Sequence, residues 1–196
     1  MGWFGDKTKP LRYAIVRVIA PKVRRLLDRR YRAAIGAVKD IYGDKPVVGC
    51  EIGVAAGENA EWILKTLNVK RLYLVDPYKP YLEDGIMRSH YVSGGNDALL
   101  RLFKYREKIR WMPMTSSDAV LRIKEPLDFV YIDGNHSYLN CLNDIGFYYP
   151  KVRKGGIIGG HNFEAKFPGV IAAVVDFCRI HDLKFEVFKV DWWIRK

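Results

Sequence analysis

Residues 47–59, VVGCEIGVAAGEN, constrain the fold of this 196-residue chain more tightly than any other stretch. Apolar residues of strand composition run into a turn marked by Gly53 and Gly57, and a helical pattern opens at residue 58. Glycine lets a backbone turn sharply and approach a bound molecule where a Cβ would collide. The helix that follows offers unpaired N–H groups and the positive end of its dipole. A second strand-like run, RLYLVD at 71–76, ends in Asp76. That is about twenty residues after the turn, the separation at which such folds place a carboxylate on ribose hydroxyls. Both features agree on an adenosine-type ligand, although the glycines follow E-x-G-x-x-x-G and not the dinucleotide spacing G-x-G-x-x-G.

The remaining pattern is an alternation of strands and helices. Strands are expected over 47–53, 71–76, 109–113, 127–133 and 156–161, and helices over 58–67, 95–105, 116–123, 139–149 and 169–181, with a loop carrying Tyr78 and Tyr81. This is an α/β fold with a parallel sheet covered on both faces and right-handed crossovers. The runs 184–189 and 191–196 have almost nothing between them and can pair only as an antiparallel hairpin. On the last of these, read as an edge strand, Trp192 and Trp193 alternate, so one should be buried and the other exposed or at an interface. Ahead of the first strand, 22–42 carries the spacing of an amphipathic helix with Arg25, Arg29, Arg32 and Lys39 on its polar side, stopped by GDKP at 43–46. The chain thus divides into a basic helical extension, 1–45, and an α/β domain, 46–196.

Two further signatures specify the domain: DFVYIDGNHSY at 128–138, followed by Asp144, and PKVRKGGIIGGHNF at 150–163. The first glycine turn resembles motif I of the class I S-adenosylmethionine-dependent methyltransferases. The later runs resemble a small family within them that carries D-F-V-[FY]-I-D-x-x-H-S-Y, then K-P-G-G and G-G-H-D-[YF]. The resemblance covers roughly residues 46–196 and implies a Rossmann-like, seven-stranded sheet in the order 3-2-1-4-5-7-6. It also implies S-adenosylmethionine in the crevice between the first and fourth strands, where the strand order reverses. In that family Gly53, Val54 and Gly57 would shape the turn around the methionine part and Glu51 would support its amino group. Asp76 and Pro77 would lie at the ribose, Ser116 on the adenine side, and Asp133 at the tip of the fourth strand.

Methyl transfer from a sulfonium is an in-line displacement with an activated donor, so alignment and exclusion of water are the main demands. A hydroxyl nucleophile must also lose a proton, to a general base or with help from a metal. Asp133, His136 and His161 are the catalytic candidates, with Asp144 nearby. The resemblance also implies a metal position: relatives among sugar, antibiotic and catechol O-methyltransferases hold a magnesium-type ion with acids after the fourth and fifth strands, hard oxygen ligands that suit it. Asp133 matches the first of these positions. His161 and Asn162 stand at the second, where a neutral amide replaces the family's acid, so a Mg2+ or Mn2+ requirement is left open. His90 and His181 lie outside the motifs and read as structural; Tyr78, Tyr81 and Tyr91 either line an acceptor pocket or cover the core.

Bulk properties set the remaining bounds. The formal charge is +11, and residues 1–45 alone hold twelve Lys/Arg against four Asp. The basic segment reads as a helix over the cofactor mouth with a solvated positive face. Contact with an anionic membrane surface is a second reading. Nucleic acid is disfavoured, because no RNA-reading module and no interleaved stacking aromatics are present. Cys50, Cys141 and Cys178 form no C-x-x-C pair and read as buried thiols in a reducing compartment. The apolar stretch 11–20 contains Arg12 and Arg17, has no cleavage pattern after it and is too short to span a bilayer, so a cytoplasmic protein is expected. The function expected is O-methylation of a small molecule or glycan. Methylation of nucleic acid or protein, for which no N-P-P-Y-type tetrad is present, and a cofactor-binding protein without activity are the alternatives. Oligomeric state is left open, a homodimer included.

Overall fold

The computed structural model describes residues 32–89 and 93–196. In chain order these form α1 (Ala33–Tyr42), β1 (Val47–Ile52), α2 (Glu58–Thr66), β2 (Val69–Val75), β3 (Tyr81–Glu83), β4 (Ile86–Arg88) and α3 (Gly94–Leu102). There follow β5 (Ile109–Met112), α4 (Ser116–Arg122), β6 (Leu127–Ile132), α5 (Tyr138–Tyr148), β7 (Val152–Gly160), α6 (Pro168–Ile180), β8 (Phe185–Phe188) and β9 (Asp191–Arg195). Every residue of β1 and of β6 is buried, the signature of parallel strands covered on both faces. They pair with each other in parallel, and Gly49 lies directly against the Phe129 ring, where a Cβ would come within 2.2 Å of ring carbons.

The main sheet runs β5-β2-β1-β6-β7-β9-β8, with only β9 antiparallel to β7 and β8 antiparallel to β9. Counting only the strands of this sheet, the order is 3-2-1-4-5-7-6, as the resemblance implied. Helices cover both faces. On one, Ala34, Ile35 and Val38 of α1 and Ile63 of α2 pack with Leu72, Phe129 and Trp193. On the other, Cys141 and Ile145 of α5 and Val174 and Phe177 of α6 pack with Cys50, Val130 and Trp192. All three cysteines are buried and free.

Three expectations need correction. Trp192 and Trp193 are both buried, at 0% and 4% exposure, because β9 is an interior strand and each of its faces is covered by a helical layer. The segment after β2 is not simply a loop, since β3 and β4 pair as a hairpin turned by Asp84 and Gly85, both at positive φ. That is the residue pair favoured by a type I′ turn. Finally, Arg32 does not lie on a solvated helix face: it immediately precedes α1 and pairs with Asp133. The rest of the proposed helix, 22–31, the apolar stretch 11–20, and His90 and Tyr91 lie outside the described residues. Among the described residues no helix is long and apolar enough to cross a membrane.

Since both tryptophans fill the core from opposite faces, Trp192→Ala and Trp193→Ala should each cost about 3–5 kcal/mol. Urea unfolding would show this as a lowered midpoint at unchanged slope; an exposed tryptophan would give a change near zero.

Candidate active site

The crevice forms because β1 and β6 end side by side and then part. Asp133 N–H donates to the Ile52 carbonyl at 2.8 Å, and Gly53 N–H to that of Val75 at 2.9 Å. Gly53 then turns at φ +85°, and a Cβ there would lie 2.1 Å from the Asp133 carbonyl oxygen, so only glycine fits. The resulting cleft, about 720 Å³, is lined by the β1 turn, the ends of β2 and β6 and the start of α3. Glu51, Gly53, Val54, Asp76, Pro77, Ser116, Asp133, His136, His161 and Asn162 all contribute to its wall, together with Tyr78 and Tyr81. Gly57 is the exception. At φ +75° it starts α2 and packs against Ala98 and Leu102 of α3, and it does not reach the cleft wall.

Glu51 is 1% exposed. One of its oxygens accepts a hydrogen bond from Asn59 Nδ2 at 2.9 Å; the other, Oε2, is buried with no hydrogen-bond partner among the described residues. Burial raises its pKa to about 8 against the weaker opposing effect of the Asn59 bond. A buried carboxyl with an unused oxygen on the wall of a cleft suits a cationic ligand group, and an adenosyl donor's amino group is of that kind.

Asp76 serves the turn as well as the cleft. Its Oδ2 accepts the Val54 and Ala55 N–H groups, both at 3.0 Å, and its Oδ1 accepts that of Tyr78 at 2.8 Å. A carboxylate has about four lone-pair sites, so only about one is left for a ribose hydroxyl instead of the free pair a bidentate role needs. The Tyr78 hydroxyl returns to the Ala55 carbonyl at 3.1 Å and its ring stacks on Trp111. Ser116 binds Asp144, a carboxyl whose pKa burial raises to about 6.

Around the β6 tip, acids and cations interlock. Asp133 has Arg32 at 3.5 Å on one oxygen and His136 Nε2 at 3.6 Å from the other. His136 Nδ1 lies 2.7 Å from Glu83 of β3. Burial alone would lower the His136 pKa, but the negative charges of Asp133 and Glu83 outweigh it and the net shift is upward. His161 Nδ1 lies 2.7 Å from Asp191 of β9, whose oxygens also accept the Tyr131 hydroxyl and the Ala34 N–H. Glu83 and Asp191 were missed in the sequence because neither falls in a motif; the DG turn that carries Glu83 into place was the available signal.

The residues do not make a prepared divalent-cation site. Among the described residues no three His, Cys, Asp or Glu side chains converge on one point. Asp133 is matched by a guanidinium, His161 is turned back to Asp191, and Asn162 offers only an amide at a backbone φ of +63°.

The sheet order, the terminal antiparallel hairpin and a glycine-turned crevice at the point of strand reversal define the class I methyltransferase architecture. The model of the methyltransferase-domain family Methyltransf_24 matches residues 50–163, more than half of the chain, and the chain belongs to that family of methyltransferase domains. Uncharacterized protein R132 of Acanthamoeba polyphaga mimivirus is 27% identical over 112 residues, 55% of this chain and 48% of its own. The chain thus spans about half the length of that curated relative. Among solved structures, the O-methyltransferase from Bacillus cereus in complex with SAH superposes with a TM-score of 0.61 at 14% identity, over 89% of this chain and 86% of its own. CalS11, a TDP-rhamnose 3'-O-methyltransferase of calicheamicin biosynthesis, gives 0.60 at 14% identity over 83% and 77%. At such identities the likeness is one of fold.

Glu51 has a testable linkage. Its folded pKa of about 8 lies above the unfolded value of 4.5, so the unliganded protein is stabilised below the unfolded value and loses that contribution as pH rises through about 8. In urea unfolding against pH, Glu51→Gln should make the decline between about pH 4.5 and 8 shallower, leaving the parts owed to Asp144 and His136. An unchanged slope would mean that Glu51 ionises normally.

Proposed function

We propose that this protein methylates a hydroxyl group of a small molecule or glycan, using S-adenosylmethionine, in the cytoplasm. The observation that carries the reading is the unpartnered Glu51 Oε2 buried in the wall of a glycine-turned cleft, with Asp133, His136 and His161 on the same cleft. The methyl donor supplies an activated sulfonium carbon when bound. Glu51 Oε2 accepts the donor's amino cation, and the remaining acceptor site of Asp76 takes a ribose hydroxyl. Val54, Pro77 and Ser116 close the adenosyl side. At the other end His136 receives the acceptor's proton, and Asp133, itself neutralised by Arg32, orients the hydroxyl. His161, held by Asp191, borders both this cleft and an adjoining cavity of about 420 Å³. That cavity shares Arg32, Glu58, Asn59 and His161 with the cleft and adds Trp62 and Phe188 among the charged Glu61, Lys65, Arg101, Lys189 and Asp191, a mixed surface suited to a polar acceptor such as a sugar.

Asp133, the one acid among the proposed ligands, is already paired with the Arg32 guanidinium. The reading is therefore of transfer without a resident metal, and chelator should leave turnover unchanged.

Calorimetry should find S-adenosylhomocysteine bound in the micromolar range. Asp76→Ala should abolish that binding by releasing the turn, whereas Asp133→Ala should keep it and lower turnover on the order of 10²–10⁴-fold. Turnover is read as methylated product by mass spectrometry over a panel of sugar and phenolic acceptors. Absence of binding in the parent protein would end the reading.

A further inference from the structure

The β3–β4 hairpin, whose Tyr81 lines the cleft, turns its one buried charge toward the β6 tip. Glu83 is 4% exposed. Its Oε1 accepts both the His136 backbone N–H, at 2.9 Å, and the His136 Nδ1 position, at 2.7 Å; its Oε2 accepts from Arg88 Nε at 2.8 Å. The hairpin is clamped to the same tip a second time by Asn135 Nδ2, which donates to the Leu82 carbonyl at 2.8 Å. Although burial works against the charged form, the bonds from His136 and Arg88 hold Glu83 below the usual carboxylate range. An ionised Glu83 has no proton to give, so the proton in its contact with Nδ1 belongs to the imidazole. The Phe167 ring, 4.5 Å away between centroids, closes one side of the imidazole. Nε2 is buried, has no hydrogen-bond partner among the described residues, and lies 3.6 Å from Asp133.

We propose that Glu83 is a positioning residue for methyl transfer: it holds His136 as the Nδ1–H tautomer, so that the Nε2 lone pair faces the Asp133 side of the cleft. The partner of one ring nitrogen decides the state of the other, and a carboxylate in this role fixes both tautomer and orientation. The inference rests on the assignment of His136 as proton acceptor made above. As the acceptor oxygen bonds to the methyl carbon, the carbon–sulfur bond breaks with its electron pair leaving on sulfur, and the hydroxyl proton passes to Nε2. The imidazolium so formed lies between Glu83 and Asp133, with Arg88 and Arg32 behind them, and returns its proton to water.

Long-range proton–nitrogen NMR of the full 15N-labelled chain, with the ring neutral and with or without S-adenosylhomocysteine, reads the tautomer directly. Wild type should show His136 as Nδ1–H, against the Nε2–H preference of a free histidine side chain. Glu83→Leu should shift it to mainly Nε2–H. Glu83→Gln should restore Nδ1–H, because the fixed His136 backbone N–H holds the amide oxygen on the histidine side while the partly exposed Arg88 side chain can turn away from the amide NH2. An Nε2–H ring in wild type, or an Nδ1–H ring that persists in a folded Glu83→Leu, overturns the proposal. If Glu83→Leu does not fold, the wild-type spectrum decides alone. Failure of S-adenosylhomocysteine to bind would instead sink the methyl-transfer reading while leaving the tautomer legible in the free protein.

Discussion

The close contact between the tips of β1 and β6 underlies the rest of the site. Parallel pairing brings Ile52 and Ile132 into register, and the next residue on each strand must then diverge. Gly53 diverges by turning left-handed against the Asp133 backbone, a step that any Cβ would block. From that one separation follow the depth of the cleft, the burial of Glu51 beneath it, and the placement of Asp133 on its far wall. Both strands need full cover to hold their register, and the helical layers on the two faces supply it.

A second regularity is the number of acids drawn to one place in a chain whose formal charge is +11. Each is accommodated differently. Glu51 is held by burial toward its neutral form, and Asp76 is satisfied by three backbone donors. Asp133 faces Arg32, Glu83 binds His136 and Arg88, and Asp191 binds His161, Tyr131 and the start of α1. Only the first has an oxygen that is both buried and unused. Among the described residues, Arg32 and Arg88 are the arginines paired with these acids.

Much of the fold was legible because it rests on local signals. The apolar runs of β1 and β6, the glycine turn and the final hairpin each follow from short stretches, and the strand order followed from resemblance. Long-range partners were not legible. That Trp192 and Trp193 are both buried depends on β9 lying between β7 and β8, a place that the order implied by resemblance already gave the last strand but that alternation within the strand does not reveal. Glu83 and Asp191 become important only because folding sets them beside His136 and His161, 53 and 30 residues away. Gly57 shows the converse: a motif glycine whose task is the turn into α2 and contact with α3 instead of the cleft surface.

The three backbone bonds on Asp76 carry a consequence for recognition. A loop already wound around its own carboxylate has little conformational freedom left to surrender, so ligand capture draws mainly on desolvation and charge pairing instead of on ordering the chain. On the proposed reading, such a receptor is rigid on the side that would hold the nucleoside. Any adaptability toward differing acceptors must then reside in the opposite half of the cavity, in side chains carried by the hairpin and by the approach to the first helix.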